Sequence, residues 1–271
     1  MRVETNWRLV RRNRRLANVL FFFSMGVLLV GFFVANTQLT SVKSDDPSLI
    51  LTLFLPWLVL PVGLISTLVS VRMTNLWIRR PRPEDVIQEG LKGINKRSVL
   101  YNYFHFPARH VLVMPTGVFA FVTRYQDGFY INRGDQWFSP GGPMRWLLRF
   151  FRRDDVGNPT EEALRAARHV QQMLKSSGQE ITVQPLILFV DPRARLQLED
   201  PAVPVLFADN RLKPNLRDYL RDHMQAVQKL QDQDTRRSAK VKTGRASGRA
   251  EVISPEDVAE VLDQVVAPVS G

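Results

Sequence analysis

Residues 109–128 read Arg-His-Val-Leu-Val-Met-Pro-Thr-Gly-Val-Phe-Ala-Phe-Val-Thr-Arg-Tyr-Gln-Asp-Gly. Residues 110–114 and 118–124 are rich in β-branched and aromatic side chains, and Pro115-Thr116-Gly117 between them has the chemistry of a tight turn. The spacing predicts two antiparallel strands. Asp127-Gly128 signals a further hairpin into Phe129-Tyr130-Ile131.

Working outward, Pro83-Glu84-Asp85 suits the first turn of a helix running to about residue 95, with Val86, Leu91 and Ile94 as its apolar stripe. Residues 98–104 read as a short strand. Downstream, the loop 134–143 is expected to hold one short strand near Trp137. Residues 144–153 are basic and amphipathic, suited either to a membrane surface or to packing on the sheet. Asn158-Pro159 opens a firm helix with Ala163, Ala166, Val170 and Leu174 on one face. Residues 182–190 end in Leu-Ile-Leu-Phe-Val, a pattern of buried central strands. A short strand at 204–207 and a helix at 215–230 follow. The basic segment 232–250 is poor in large apolar residues and reads as disordered. Ser254 caps a last short helix. The fold class is therefore mixed α/β, an α-β-β-β-α-β core with helices flanking a central mixed sheet.

The N-terminal third is of another kind. Residues 16–42 and 47–71 carry no charge, and each is long enough for a helix to cross a bilayer core of about 30 Å. They predict a two-helix transmembrane hairpin, with spans at about 16–39 and 49–71 and a kink at Pro56 and Pro61. A cleaved leader is disfavoured by the length of the first run and by Phe33 standing where a small residue would be needed. The net charge of +11 is concentrated beside these runs: 11 basic against 3 acidic residues up to Arg82, and 26 against 23 beyond it. Arg2, Arg8, Arg11, Arg12, Arg14 and Arg15 precede the first run, and Arg72, Arg79, Arg80 and Arg82 follow the second. The positive-inside rule then places both termini in the cytoplasm of a two-span cell-membrane protein, with membrane lipids as partners. The expected domains are a basic arm at 1–15, the hairpin at 16–71, a linker at 72–83, a folded body at 84–230 and a tail at 231–271. With no cysteine, disulfides and thiolate–zinc sites are excluded.

The body, over roughly 84–207, resembles the nuclease-related domain (NERD) family of the PD-(D/E)xK restriction-endonuclease-like superfamily. His110, the Pro115-Thr116-Gly117 turn, Gly128, Trp137, Asn158-Pro159 and the strand at 186–190 fall in the family's order. The resemblance implies Mg²⁺-dependent phosphodiester cleavage, in which clustered carboxylates hold the metal and a lysine attends the attacking water. Residue by residue, however, the metal-binding aspartate falls on Arg109, the strand glutamate on Val122 and the lysine on Arg124. Glu89 is the candidate remnant of the helix glutamate. The expectation is thus a degenerate site with no catalytic residue and no metal or other cofactor.

Arg109, His110 and Arg124 stand instead as ligand-binding candidates, since arginine forks suit phosphate. Surface arginines, free or paired with acids such as Glu89, are the plainer alternative. Asp127, Asp135 and Asp191 near strand ends are read as turn and loop residues. His105, His110, His169 and His223 lack a ligand spacing. Three functions follow: a non-catalytic binding or scaffolding module at the membrane, with nucleic acid or another protein as its further partner; an active Mg²⁺ nuclease with a rearranged site; or a basic tail (Arg236, Arg237, Lys240, Lys242, Arg245, Arg249) that binds lipid or nucleic acid. Two spans without an ionisable residue make transport a poor fit.

Overall fold

The computed structural model describes residues 1–41, 49–140, 156–240 and 254–266. The loop around Ser44, the segment 144–153 and the tail beyond Lys240 up to residue 253 lie outside them. The elements are β1 (Arg2–Thr5), α1 (Trp7–Ser41), α2 (Leu49–Trp77), α3 (Pro83–Gly90), β2 (Val99–Asn102), β3 (His110–Met114), β4 (Gly117–Arg124), β5 (Phe129–Arg133), β6 (Gln136–Phe138), α4 (Pro159–Ser176), β7 (Val183–Phe189), β8 (Arg195–Glu199), β9 (Val205–Phe207), α5 (Leu216–Lys240) and α6 (Pro255–Val266). The chain divides into two units, one of residues 1–8, 81–140 and 156–271, the other of residues 9–80 and 141–155.

The first unit is built on a six-stranded mixed sheet of order β1-β2-β3-β4-β7-β9. β2, β3 and β4 are antiparallel neighbours, whereas β4–β7, β7–β9 and β1–β2 pair in parallel. Every residue of β3 and β4 is buried, because helices cover both faces. That double cover explains the nearly unbroken apolar run that marks these strands in the sequence. On one face Val111, Val113, Ala120, Val122 and Ile187 pack with Ala163, Ala166 and Val170 of α4 and Val258 and Leu262 of α6. On the other, Leu112, Met114, Phe119, Phe121 and Leu186 pack with Ile87 of α3 and Leu216 and Leu220 of α5. Complete burial of a side chain such as Phe121 contributes about 2–3 kcal/mol. The mixed sheet with flanking helices agrees with the sequence reading. A second sheet of order β6-β5-β8 carries the hairpin that follows Gly128.

Local chemistry sets the boundaries. Asn158 caps α4 by accepting from the Glu161 amide at 3.1 Å, with Pro159 in the first turn. A Cβ at Gly128 would lie 2.8 Å from the Tyr130 hydroxyl, and Tyr130 is itself buried, so the hairpin needs glycine there.

Three expectations are corrected. Residues 2–5, assigned to a basic arm, form strand β1, because the open edge of β2 supplies hydrogen-bond partners that a four-residue polar segment lacks alone. The expected linker at 72–83 is helical as far as Trp77. Residues 232–240, expected to be disordered, continue α5, since their Gln, Arg, Ala and Lys content favours helix without an apolar face. Strand β8 lies where the sequence reading assigned no element; its alternating, half-exposed pattern is that of a sheet covered on one side only.

In the second unit α1 and α2 lie antiparallel. A Cβ at Gly31 would meet Val59 at 2.8 Å, one at Gly63 would meet Leu28 at 3.5 Å, and Arg14 Nε donates to the Trp77 carbonyl at 3.0 Å. α2 runs unbroken through Pro56 and Pro61. Among the described residues one stretch, Trp7–Phe33, is long and apolar enough to cross a membrane by length and composition. Phe22, Phe32 and Phe33 on it are each more than 60% exposed.

Candidate functional site

β3 and β4 meet in the register His110↔Phe121, so Arg109, one residue before β3, comes level with Val122. β4 then pairs with β7 through Val122↔Ile187 and Arg124↔Phe189. The three positions at which the resemblance puts catalytic groups therefore gather at one end of the sheet, where β4 and β7 finish and β3 begins.

Their side chains offer no anionic oxygen. Val122 is buried in the apolar core under α4. Arg124 is also buried, with Nε donating to the Val156 carbonyl at 3.1 Å and NH1 to the Thr123 carbonyl at 3.2 Å. Its NH2 pairs with the half-exposed Glu162 carboxylate at 3.0 Å. The guanidinium thus ties the end of β4 to the segment leading into α4 and to that helix's first turn. Arg109 is half-buried, and its carbonyl accepts from the Tyr103 amide at 2.6 Å. A hard dication needs several oxygen ligands, and these residues do not fit one. Among the described residues no group of three or more His, Asp or Glu side chains is placed to hold a metal.

His110 does not join Arg124. It alternates with Leu112 and Met114 and so faces the α3 side of the sheet, opposite to Val122 and Arg124. There it is fully buried. Asn102 Oδ1 accepts from Nδ1 at 2.8 Å, and Asn102 Nδ2 donates to Thr5 Oγ1 at 3.0 Å. An amide oxygen only accepts, so this contact fixes the proton on Nδ1. Nε2 has no partner among the described residues. Burial, and secondarily the Arg109 charge, lowers the His110 pKa to about 3. Beside it, Tyr103 stands edge-on to the imidazole at 4.9 Å and donates to the buried Glu84 at 2.9 Å. Tyr103 takes φ +66°, a conformation that costs a non-glycine residue roughly 1–2 kcal/mol and is sustained by these bonds.

Glu89, the candidate remnant, is exposed and pairs with Lys92. The buried carboxylate of that helix is Glu84 instead, which the sequence reading took only as a first-turn acid. Two acids considered separately do converge: Asp191, buried, takes Arg193 at 3.0 and 2.7 Å, and Arg193 reaches Asp127 at 3.2 Å. They sit just past the ends of β4 and β7. Asp135 is exposed beyond β5.

A second buried imidazole, His105, lies edge-on to Tyr101 at 5.4 Å with neither ring nitrogen partnered among the described residues. Burial, then the nearby His169, lowers its pKa to about 4, against a weaker opposing pull from Asp263. Asp263 of α6 in turn accepts from the Tyr101 hydroxyl at 2.7 Å and from Arg2 at 2.6 and 2.8 Å. His169 is half-buried on α4, and His223 donates from Nε2 to the Thr116 carbonyl at 3.2 Å, bracing the Pro115–Gly117 turn.

The domain is thus a mixed sheet with helices on both faces and a cluster of side chains at one strand end. Residues 84–190 match the family model described as Nuclease-related domain, the family that the residue pattern resembled. That match begins in α3 and ends just past β7, so it spans the sheet centre and the candidate site. No curated protein matches the chain. No solved structure matches it either.

Proposed function

We propose that the chain is a membrane-anchored nuclease-related protein whose domain binds or scaffolds at the cytoplasmic membrane face without cutting phosphodiesters. The carrying observation is Arg124. At the family's lysine position its guanidinium is bound to Val156 and Glu162, and its strand neighbour Val122 replaces an anionic metal ligand. Phosphodiester hydrolysis by this family's chemistry needs a carboxylate-held dication to lower the pKa of water and offset charge on phosphate.

Membrane anchoring rests on the exposed apolar surface of α1 together with chain connectivity. β1 precedes α1, and β2 follows α2, yet β1 and β2 pair through Arg2↔Val99 to Thr5↔Asn102. A chain that crosses a bilayer on α1 must return before residue 99, and α2 is the segment available. Both termini then share one side, and the arginines flanking the hairpin make that side cytoplasmic.

A second reading is a residual Mg²⁺ nuclease built on Asp127 and Asp191, which converge on Arg193. The full chain in detergent, incubated with Mg²⁺ and with single- or double-stranded DNA, separates the two. No metal-dependent cleavage is expected. Cleavage that Asp191→Asn abolishes would overturn the proposal in favour of the second reading. DNA or lipid binding lost on deleting residues 232–250 would move the function to the basic tail.

A further inference from the structure

The hairpin holds a feature that anchoring does not require. Between α1 and α2 lies a cavity of about 410 Å³, lined among the described residues by Phe23, Gly26, Val27, Val30, Val59 and Val62, none of them charged or polar. Its origin is local. Gly31 lets the two helices close, since a Cβ there would meet Val59 at 2.8 Å, whereas a Cβ at Gly26 would meet nothing within 4 Å. The helices therefore touch at one level and leave a groove one turn away. Phe23 and Val30 flank it and are themselves more than half exposed.

The groove has a charged continuation. Phe23, Gly26 and Val30 share one face of α1, and the same stripe runs back at three- and four-residue steps through Val19 and Leu16 to Arg12, with Arg15 close beside it. Leu16 and Val19 are exposed, as are Arg12 and Arg15. At 1.5 Å per residue, Arg12 stands roughly 16 Å from Phe23 along the helix. That is about the depth of one leaflet, half of a hydrocarbon core of about 30 Å.

Resting on the membrane reading above, we propose that this groove is a lipid site that takes one acyl chain of an anionic glycerophospholipid, with the phosphate held by Arg12 and Arg15. Within a bilayer an acyl chain gains nothing by leaving water, so an apolar groove alone exchanges its occupant freely. Paired guanidiniums supply the missing selectivity, because they hold a phosphate by two-pronged hydrogen bonds. A second copy of α1 is the competing occupant. A symmetric parallel pair across Gly26 would bring Arg12 and Arg15 beside their own counterparts, and like charges oppose it.

The test uses the full chain reconstituted in phosphatidylcholine vesicles doped with phosphatidylglycerol, extracted gently and weighed intact by native mass spectrometry. One phosphatidylglycerol should remain per chain, in preference to phosphatidylcholine. Gly26→Leu, which fills the groove, should cut that retention by about tenfold; Val62→Phe fills it from α2 and serves if Gly26→Leu loses helicity. Arg12→Gln with Arg15→Gln should abolish the head-group preference. Wild-type retention in both groove-filling variants overturns the site. A dimer mass in the wild type that Gly26→Leu abolishes assigns the groove to a second copy and also overturns it. If alkaline carbonate strips the wild-type chain from membranes, the membrane reading itself has failed, which is a separate result.

Discussion

Two buried imidazoles contribute to the chain's response to acid. In His105 and His110 burial holds the pKa at about 4 and about 3, whereas in the unfolded chain each sits near its ordinary value of about 6.5. Above pH 6.5 both states are neutral, and these groups add no pH dependence. Below it the unfolded chain takes up protons that the folded one refuses, so stability falls until the folded pKa is reached, by about 1.4 kcal/mol per unit for each histidine. His105 is the cleaner probe, because neither of its nitrogens is bonded among the described residues. His105→Leu should leave the thermal midpoint at pH 7 unchanged or raised. It should also remove about 2 kcal/mol of the loss that the wild type suffers between pH 7 and pH 5. Unfolding followed by circular dichroism of the detergent-solubilised chain reads this directly. An identical acid loss in wild type and variant would show that His105 is not held neutral. No spacing in the sequence marks His105; its burial arises only when α4 and α6 close over the end of β2.

At the scale of elements, α6 docks on the first unit through a small patch. It buries Val258, Ala259 and Leu262, and its polar hold is Asp263 on Arg2 and Tyr101, a contact to Arg2 that is itself half-exposed. A pair that exposed contributes about 1 kcal/mol or less, whereas removing a buried leucine costs about 2–5 kcal/mol. Leu262→Ala should therefore undock α6 as a unit. Hydrogen exchange should show protection lost across 255–266 while amides of β3 and β4 keep theirs, and Asp263→Asn should have the smaller effect. Loss of protection in the sheet as well would mean that α6 is integral to the core. The sequence shows why elements differ in legibility. β3 and β4 were plain because both faces are buried and their apolar run is uninterrupted. β1, with Val3 as its only apolar residue, was invisible because its partner lies almost a hundred residues away. The site divides in the same way. Val122 and Arg124 could be placed from the turn and strand spacing, but Glu162, Val156 and Arg193 reach their partners only through the packing of α4 and the β7–β8 connection.

The whole molecule is constrained by where its ends are tied. On the membrane reading proposed above, β1 and β2 have to end on the same side of the bilayer, since the hydrogen bonds of β1 go to β2 on the far side of both helices in sequence. An odd number of crossings would leave one of these paired strands on each side of a bilayer, which no hydrogen-bonded sheet permits. α1 and α2 therefore cross as a pair or not at all, and the two cases differ in where the connection between them lies. The natural chain has no cysteine, so single introduced thiols report without background. Ser44→Cys, between the helices, should react with a membrane-impermeant maleimide in intact cells. Ser177→Cys, exposed just past α4, should react only after permeabilisation. Reaction of both thiols only after permeabilisation would lay the hairpin along the membrane surface, with neither helix crossing. Reaction of both in intact cells would place the domain that holds residues 84–190 outside, against the arginine distribution that flanks the hairpin.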